Sequence, residues 1–333
     1  MKDPSSISLP RGVRDILPEE AERIYSVENT IIDVFHRQGF KRVITPLVEY
    51  VDVLSRGLDE RLKEKLFKFI DPLTGRVVAI RPDITPQIAR IVATKMRTEG
   101  LPLKLYYNEN IFRNSNSDDS SPVELLQIGA EYISDEALPE IDAQMITMAM
   151  EILERLGIEE FRIDIGEMGF VKAIMASLDV PQATLELIKD AIAKKDSGTL
   201  KEITGEHRDT IGEEREALLL SLTELYGDTT VVDRALECVK DEGLREHLLY
   251  VKKVVDIVGS KGFADKITID LGEVRGFAYY TGIIFECFCG RMGSPVLSGG
   301  RYDNLMASYG YDVRSTGFAF DVAGLVTILS EEV

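Results

Sequence analysis

An amide and a carboxylate share one face of a predicted strand over residues 123–134. Side chains two apart in a strand point the same way, so Gln127 and Glu131 flank Gly129, which has no side chain. This arrangement would leave a polar hollow over the sheet, suited to a small cation or amine. Alternation by itself favours the plainer interpretation, in which both side chains face solvent.

Arginine and tyrosine side chains are the candidates to close such a hollow. Arg113 ends the preceding predicted strand, and Arg275, Tyr279 and Tyr280 lie beside glycines further along the chain. A guanidinium offers a planar donor fork to a carboxylate, and a tyrosine combines an apolar wall with a polar tip. Taken alone, each has a plainer interpretation as a surface arginine or an aromatic-packed turn. Residues 297–303 favour a glycine-rich tight turn before a helix.

The elements that must position these residues predict an α+β fold. Residues 103–113 and 123–134 form a predicted hairpin, because the residues between them, 114–122, consist of turn formers and suggest a mobile loop. Apolar spacing and helix-start signals predict helices over 19–38, 85–96 and 139–156, with Thr85 as an N-cap, and a last helix after residue 322. Further strands are predicted over 41–50, with an interruption at Pro46, and over 77–81, 160–166, 266–271, 282–289 and 315–322.

Residues 169–258 differ in composition from the rest of the chain. They are rich in Ala, Leu, Glu and Lys, with helical periodicity and few strand signals. We interpret them as an all-helical insertion that splits one domain, formed by residues 1–168 and 259–333. The strands of that domain do not alternate regularly with helices, which favours an antiparallel sheet over a doubly wound one.

Composition excludes several classes of function. The 333 residues are 44% hydrophobic and 29% charged, which excludes wholesale disorder. A net charge of −18 makes nucleic acid a poor partner, because binding to it depends on neutralising phosphates. No apolar run approaches the ~20 residues of a membrane span. The N-terminus lacks an apolar signal region, so a cytoplasmic location is expected.

The three histidines and three cysteines show no metal-binding or disulfide pattern. The histidines have no HExxH spacing and the cysteines have no CxxC spacing. We therefore predict no metal, no cofactor and no serine–histidine triad. The cysteines are interpreted as small buried hydrophobic residues in a reducing compartment.

Several segments, taken together and in order, resemble motifs of the histidyl-tRNA synthetase family, which has a class II aminoacyl-tRNA synthetase fold. The helix and strand ending at Pro46 resemble motif 1, the dimer-forming element, and Phe112-Arg113 resembles the start of motif 2. The other matching segments are 9–18, 81–85, 127–131, 275–280 and 299–303. The resemblance covers nearly the whole chain and implies an antiparallel sheet flanked by helices.

The resemblance also implies a pocket for free histidine, and it reverses the plainer interpretations above. The amino group would be held by Asp83, Thr85 and Gln127, the imidazole by Glu131 and Tyr280 with Tyr279 nearby, and the carboxylate by Arg113 and Arg275. Opposite charges would then meet each ionic end of the zwitterion, and a carboxylate would accept the imidazole N–H.

Departures from the family pattern concern ATP and tRNA. Ser115 stands where motif 2 of the family has a glutamate, and Val123 stands where the family has a loop arginine that meets ATP. Ala278 stands where the family has an aspartate in the motif Arg-Gly-Leu-Asp-Tyr-Tyr. Gly324 replaces the motif 3 arginine, and Asp321 adds a negative charge nearby. Because phosphoryl chemistry depends on such compensating charges, we expect that adenylate formation is lost. The given sequence ends after the motif 3 helix, so no anticodon-binding domain is expected.

A chain that resembles a synthetase with its amino-acid pocket kept and its ATP and tRNA chemistry lost is similar to the regulatory subunits of ATP phosphoribosyltransferase. Residues 81–90 are especially close to that subfamily. This resemblance implies a non-catalytic chain that needs the short-form catalytic subunit, with which it forms a hetero-octamer. It also implies a homodimer through the motif 1 region, feedback inhibition by L-histidine, and no tRNA or membrane partner. Two alternatives are a truncated synthetase that forms histidyl-adenylate, and another paralogue acting as an amino-acid sensor or tRNA-binding regulator.

Overall fold

The computed structural model describes residues 8–114, 122–274, 280–290 and 293–331. Its helices are α1 (Pro18–Arg37), α2 (Val51–Leu54), α3 (Glu60–Glu64), α4 (Thr85–Lys95), α5 (Pro139–Arg155), α6 (Met168–Ala176), α7 (Gln182–Ala193), α8 (Ser197–Glu206), α9 (Arg208–Ile211), α10 (Glu213–Ser221), α11 (Thr230–Cys238), α12 (Glu242–Val258) and α13 (Val322–Glu331). Its strands are β1 (Lys41–Arg42), β2 (Val48–Tyr50), β3 (Lys68–Ile70), β4 (Val77–Ile80), β5 (Leu103–Phe112), β6 (Glu124–Ser134), β7 (Phe161–Glu167), β8 (Tyr226–Gly227), β9 (Ile267–Asp270), β10 (Ile283–Cys289), β11 (Leu297–Arg301) and β12 (Arg314–Asp321).

A nine-stranded sheet organises the described residues. Its order is β1-β5-β6-β12-β11-β10-β7-β9-β8, and its pairs are antiparallel except β1 with β5 and β7 with β9. A separate three-stranded sheet has the order β2-β4-β3. The predicted α+β class, with a mainly antiparallel sheet flanked by helices, is confirmed.

Helices cover both faces of the large sheet, as the alternation along its strands requires. On one face, Ile128 and Ala130 of β6 belong to a core cluster with Ile31 of α1 and Ile146 of α5. On the other face, Leu105 and Tyr107 of β5 pack with Ile84, Ile88 and Val92, at and within α4. The polar face of β6 therefore lies on the α4 side of the sheet.

The segment 169–258 is mainly helical but contains the short strand β8, so the prediction of an all-helical insertion is wrong in that detail. β8 pairs with β9 and extends the large sheet. Leu200, Leu219 and Leu248 from this segment belong to the same core cluster as Ile31 of α1. The segment thus shares its core with the rest of the fold, and its treatment as a separate insertion stays a prediction.

The interruption predicted at Pro46 in the strand over 41–50 is confirmed, because β1 joins the large sheet while β2 joins the small one. One local prediction needs correction. Residues 297–301 form strand β11, which pairs with both β10 and β12, rather than a tight turn.

Residues 115–121 of the predicted hairpin loop lie outside the described residues. No described helix is both long and apolar enough to span a membrane.

Candidate functional site

A cavity of about 270 Å³ opens on the α4 side of the sheet. Strands β6, β11 and β12 form its floor, and the start of α4 forms one wall. Five of the eight predicted residues line it: Asp83, Thr85, Arg113, Gln127 and Tyr280. Glu131 lies next to the cavity, below two of its lining side chains. Arg275 and Tyr279, like Ser115 and Ala278, lie outside the described residues.

Glu131 is buried, with 1% of its surface exposed, and both of its oxygens accept hydroxyl hydrogen bonds. Thr85 Oγ1 donates to one oxygen over 2.7 Å, and the Tyr302 hydroxyl donates to the other. Burial raises the pKa of Glu131 from 4.5 to about 8, although the two hydroxyls oppose the rise. The carboxyl group is therefore held in a fixed orientation, and it keeps its proton to a higher pH than an exposed glutamate does.

Asp83 lies at the start of α4, where backbone N–H groups lack helical partners. Its Oδ1 accepts from the amides of Ile84 at 2.7 Å and Thr85 at 3.3 Å. Burial raises the pKa of Asp83, while the charge of Arg113 and the two amides act against the rise. The predicted N-cap role of Thr85 is therefore wrong. The Asp83 carboxylate accepts the amides at this helix start, and the Thr85 hydroxyl donates to Glu131 instead.

Arg113 brings a positive charge to the cavity. Its Nε donates to the carbonyl oxygen of Pro82 over 2.8 Å, which fixes the guanidinium beside the Asp83 segment. Its charge opposes the burial-driven rise in the pKa of Asp83 and of Asp321, so it lies within electrostatic reach of both carboxyl groups. The cavity thus places one cation between two acidic groups.

Gln127 carries a buried acceptor with no partner. Within the part of the chain that the structure describes, its Oε1 is shielded from solvent and makes no hydrogen bond. Most buried polar atoms in native proteins are paired, so an unpaired one on a cavity wall needs an explanation. A donor on a bound ligand would satisfy it. Gln127 lies opposite Asp321 in the β6–β12 register.

The predicted hollow over Gly129 is filled by a residue that the sequence analysis missed. Tyr107 lies opposite Gly129 in the β5–β6 register, and a Cβ at that glycine would collide with the tyrosine ring. Tyr107 lines the cavity and is almost fully buried. A bulky residue at Gly129 would displace this ring. The cross-strand register, which alternation within one strand does not give, was the missing signal.

Tyr302 and Arg301 show how one motif divides between the cavity and the core. Tyr302 was quoted in the family motif but not proposed as a site residue, and it lines the cavity beside Glu131. Arg301 instead forms a buried bidentate pair with Asp142 of α5, with both N–O distances 2.9 Å. The Tyr250 hydroxyl of α12 donates to the same Asp142 over 2.7 Å. The Arg301 side chain therefore links β11 to α5 behind the cavity wall.

The described positions that the resemblance assigns to ATP binding carry no cation. Val123 is buried, and its amide donates to the carbonyl of Gly12 over 3.0 Å. At the start of α13, Asp321 Oδ1 accepts from the Ala323 amide over 3.1 Å, and Asp321 Oδ2 lies close to Gly324. A helix N-terminus attracts anions, and here a carboxylate of the chain itself occupies that place. Among the described residues, no group of three potential ligands could hold a metal ion.

Comparison with known proteins agrees with this fold. The histidyl-tRNA synthetase family model matches residues 12–325. An ATP phosphoribosyltransferase regulatory subunit of Geobacter metallireducens is 42% identical over 99% of this chain and 76% of its own length. One of Syntrophotalea carbinolica is 40% identical over 96% of this chain and 74% of its own length.

Solved structures show the same relationship. The crystal structure of an ATP phosphoribosyltransferase regulatory subunit/histidyl-tRNA synthetase from Bacillus halodurans C matches with a TM-score of 0.85 and 28% identity, covering 98% of this chain and 84% of that one. A histidine–tRNA ligase subunit from Alicyclobacillus acidocaldarius matches with a TM-score of 0.81 and 26% identity, covering 98% of each chain.

The fold and the site define a class II synthetase-like protein of the histidyl-tRNA synthetase family. Within that family, the chain belongs to the ATP phosphoribosyltransferase regulatory subunits. The family prediction made from the sequence motifs is thereby confirmed.

Proposed function

We propose that this chain is a non-catalytic regulatory subunit of ATP phosphoribosyltransferase in histidine biosynthesis, and that its cavity binds free L-histidine. The observation that carries the proposal is the buried Oε1 of Gln127, which has no partner among the described residues, in a cavity that also presents Asp83 and Arg113. An amino acid zwitterion supplies an ammonium donor and a carboxylate within a few ångströms of each other. The cavity offers a matching acceptor, anion and cation.

The ammonium group of histidine would bind between Asp83 and Gln127, where it completes the hydrogen bonding of the buried amide oxygen. The histidine carboxylate would bind the guanidinium of Arg113. The imidazole would then extend toward Tyr302 and Glu131. Both Glu131 oxygens already accept hydrogen bonds from hydroxyl groups. A direct hydrogen bond from an imidazole N–H therefore requires one of these hydroxyl groups to move away. Arg275 and Tyr279 are proposed to complete the carboxylate and imidazole ends.

The proposed partner is the short-form catalytic subunit, which would need this chain for activity within a hetero-octamer. The names of the relatives support this assignment. Histidine would inhibit the complex by binding one of its arrangements more tightly than another, since only differential affinity shifts an equilibrium. We also propose that the chain is cytoplasmic and that it needs no cofactor.

A homodimer through the motif 1 region is also proposed. The small sheet and the segment before it expose apolar side chains that a monomer would leave in water, including Ile44 at 69%, Ile70 at 68% and Leu73 at 93% exposure. Exposed apolar side chains of this size support the proposal of an interface in this region. The net charge of −18 supports the expectation that tRNA is not a partner.

The alternative function, formation of histidyl-adenylate, finds less support. The positions expected to neutralise ATP phosphates carry Val123 and Gly324, and Asp321 places a carboxyl group beside Gly324. Phosphoryl transfer requires compensating positive charge at such positions. Pyrophosphate exchange with histidine and ATP should therefore be absent. Robust exchange would favour the synthetase alternative.

Mixing the chain with the short catalytic subunit tests the proposal. We expect phosphoribosyltransferase activity to rise when this chain is added and to fall again with histidine. A matched control is Lys201→Met, which changes an exposed residue of α8 and should leave both effects intact. If the chain binds histidine but does not activate the catalytic subunit, a sensor with another partner is favoured.

A further inference from the structure

We propose that Lys172 of α6 is a positioning residue that fixes Tyr280 against the cavity, which gives the mainly helical segment 169–258 a part in ligand binding. The proposal rests on the proposed binding of histidine, and it adds a residue that does not line the cavity. Lys172 Nζ donates to the backbone carbonyl of Tyr280 over 2.6 Å. Tyr280 in turn lines the cavity with its side chain.

The residues around Tyr280 are held from several directions. The Thr281 amide donates to the carbonyl of Arg301 over 2.7 Å, and the Met168 amide donates to the carbonyl of Gly282 over 2.9 Å. A Cβ at Gly300 would lie 2.9 Å from the Tyr280 ring, so this glycine permits the close approach of the ring to β11. The contact from Lys172 acts on the backbone carbonyl of Tyr280 itself, the residue whose side chain lines the cavity.

The surroundings of Lys172 indicate that this side chain does more than pack at the surface. The side chain is half-buried, and burial lowers the pKa of Lys172 while the charge of Glu167 opposes that effect. Glu167 is almost fully buried itself, accepts a hydrogen bond from the Phe170 amide at the start of α6, and lies 3.2 Å from His247 Nδ1. Placing a lysine here costs solvation free energy, which a purely apolar side chain would avoid.

A second connection reaches the same part of the cavity wall from this segment. Tyr250 of α12 donates to Asp142, and Asp142 forms the bidentate pair with Arg301. The carbonyl of Arg301 accepts the Thr281 amide. Lys172 and Tyr250 therefore support residues 280–282 from two sides. Of the two, Lys172 is the shorter link, since a single hydrogen bond separates it from Tyr280.

The test compares histidine affinity by titration calorimetry in the full-length chain. We expect Lys172→Met to raise the dissociation constant for histidine about tenfold, which corresponds to the loss of one hydrogen bond to a charged donor. Lys172→Arg, which keeps a cationic donor, should restore affinity to within about threefold. Lys201→Met removes the same charge from the exposed surface of α8 and should not change affinity.

A double-mutant cycle separates positioning from general loss of structure. If Lys172 acts through the Tyr280 side chain, Lys172→Met should weaken binding by less than about twofold when Tyr280 is already alanine. Lys172→Gln, whose side chain is shorter and uncharged, replaces Lys172→Met if that variant does not fold, and should show the same losses. Thermal unfolding of each variant confirms that it is folded at the titration temperature.

Each outcome has a distinct meaning. Unchanged affinity in Lys172→Met, or an equal loss in both Tyr280 backgrounds, overturns the positioning role while histidine binding by the unmodified chain stands. If the unmodified chain itself does not bind histidine, the proposed function fails and the positioning role fails with it. A tenfold loss that disappears in the Tyr280→Ala background supports the proposal.

Discussion

Two acidic side chains, one lining the cavity and one beside it, are satisfied by different kinds of donor. Asp83 accepts backbone amides at a helix start and lies within the field of Arg113. Glu131 is bound by two hydroxyl groups, and burial raises its pKa to about 8. Asp83 and Arg113 therefore form the charged end of the proposed ligand site, and Glu131 forms an end with a fixed carboxyl group whose pKa is raised. The two carboxyl groups differ in behaviour because their surroundings differ.

The largest effect is expected at the charged end. Arg113→Met removes the cation that offsets Asp83 and Asp321, and it deprives a ligand carboxylate of its partner. Histidine affinity should fall by roughly 3 kcal/mol, about 100-fold, as expected when a charged hydrogen bond is lost and a buried charge is left unpaired. Titration calorimetry measures the loss. A change of less than about threefold would show that Arg113 does not bind the ligand.

At the Glu131 end, a smaller loss of affinity is expected. Glu131→Ala removes the acceptor for an imidazole N–H and leaves the hydroxyls of Thr85 and Tyr302 without their shared partner. Binding should weaken by roughly 1–3 kcal/mol. Inhibition of the catalytic subunit by histidine, measured with this variant, should require correspondingly more histidine. Normal inhibition would count against the imidazole assignment.

The raised pKa of Glu131 also predicts a pH dependence of stability. The folded chain binds this proton more tightly than the unfolded chain, in which the pKa returns to about 4.5. The contribution of Glu131 to the free energy of unfolding is therefore complete below pH 4.5, decreases as pH rises toward 8, and levels off above that value. The difference in unfolding free energy between the unmodified chain and Glu131→Gln should follow this curve. Parallel pH profiles would contradict it.

The smallest effect, with opposite signs for stability and binding, is expected at Gln127. Gln127→Met removes a buried acceptor that has no partner among the described residues, so the ligand-free chain should be as stable as the parent or up to about 1 kcal/mol more stable. Affinity for histidine should nevertheless fall by roughly 1 kcal/mol. Denaturant unfolding and calorimetry on the same samples check both signs. Loss of stability would show that the amide is satisfied without a ligand.

Much of this contrast between the two ends could be predicted from local sequence. Strand alternation placed Gln127 and Glu131 on one face of β6, and motif order identified the family. Alternation within a strand does not report which residue lies across from Gly129, so the place of Tyr107 required the β5–β6 register. Periodicity likewise gave no sign that 297–301 is a strand, because three of its five residues are glycine or serine. The histidine-binding roles themselves stay predictions from the family resemblance.

Titration of L-histidine into the unmodified chain tests the central claim most directly. We expect one saturable site per chain, strong discrimination against an amino acid without an imidazole, and loss of the signal in Arg113→Met. No heat of binding at saturating histidine, or equal binding in the unmodified chain and Arg113→Met, would contradict the claim that this cavity binds histidine.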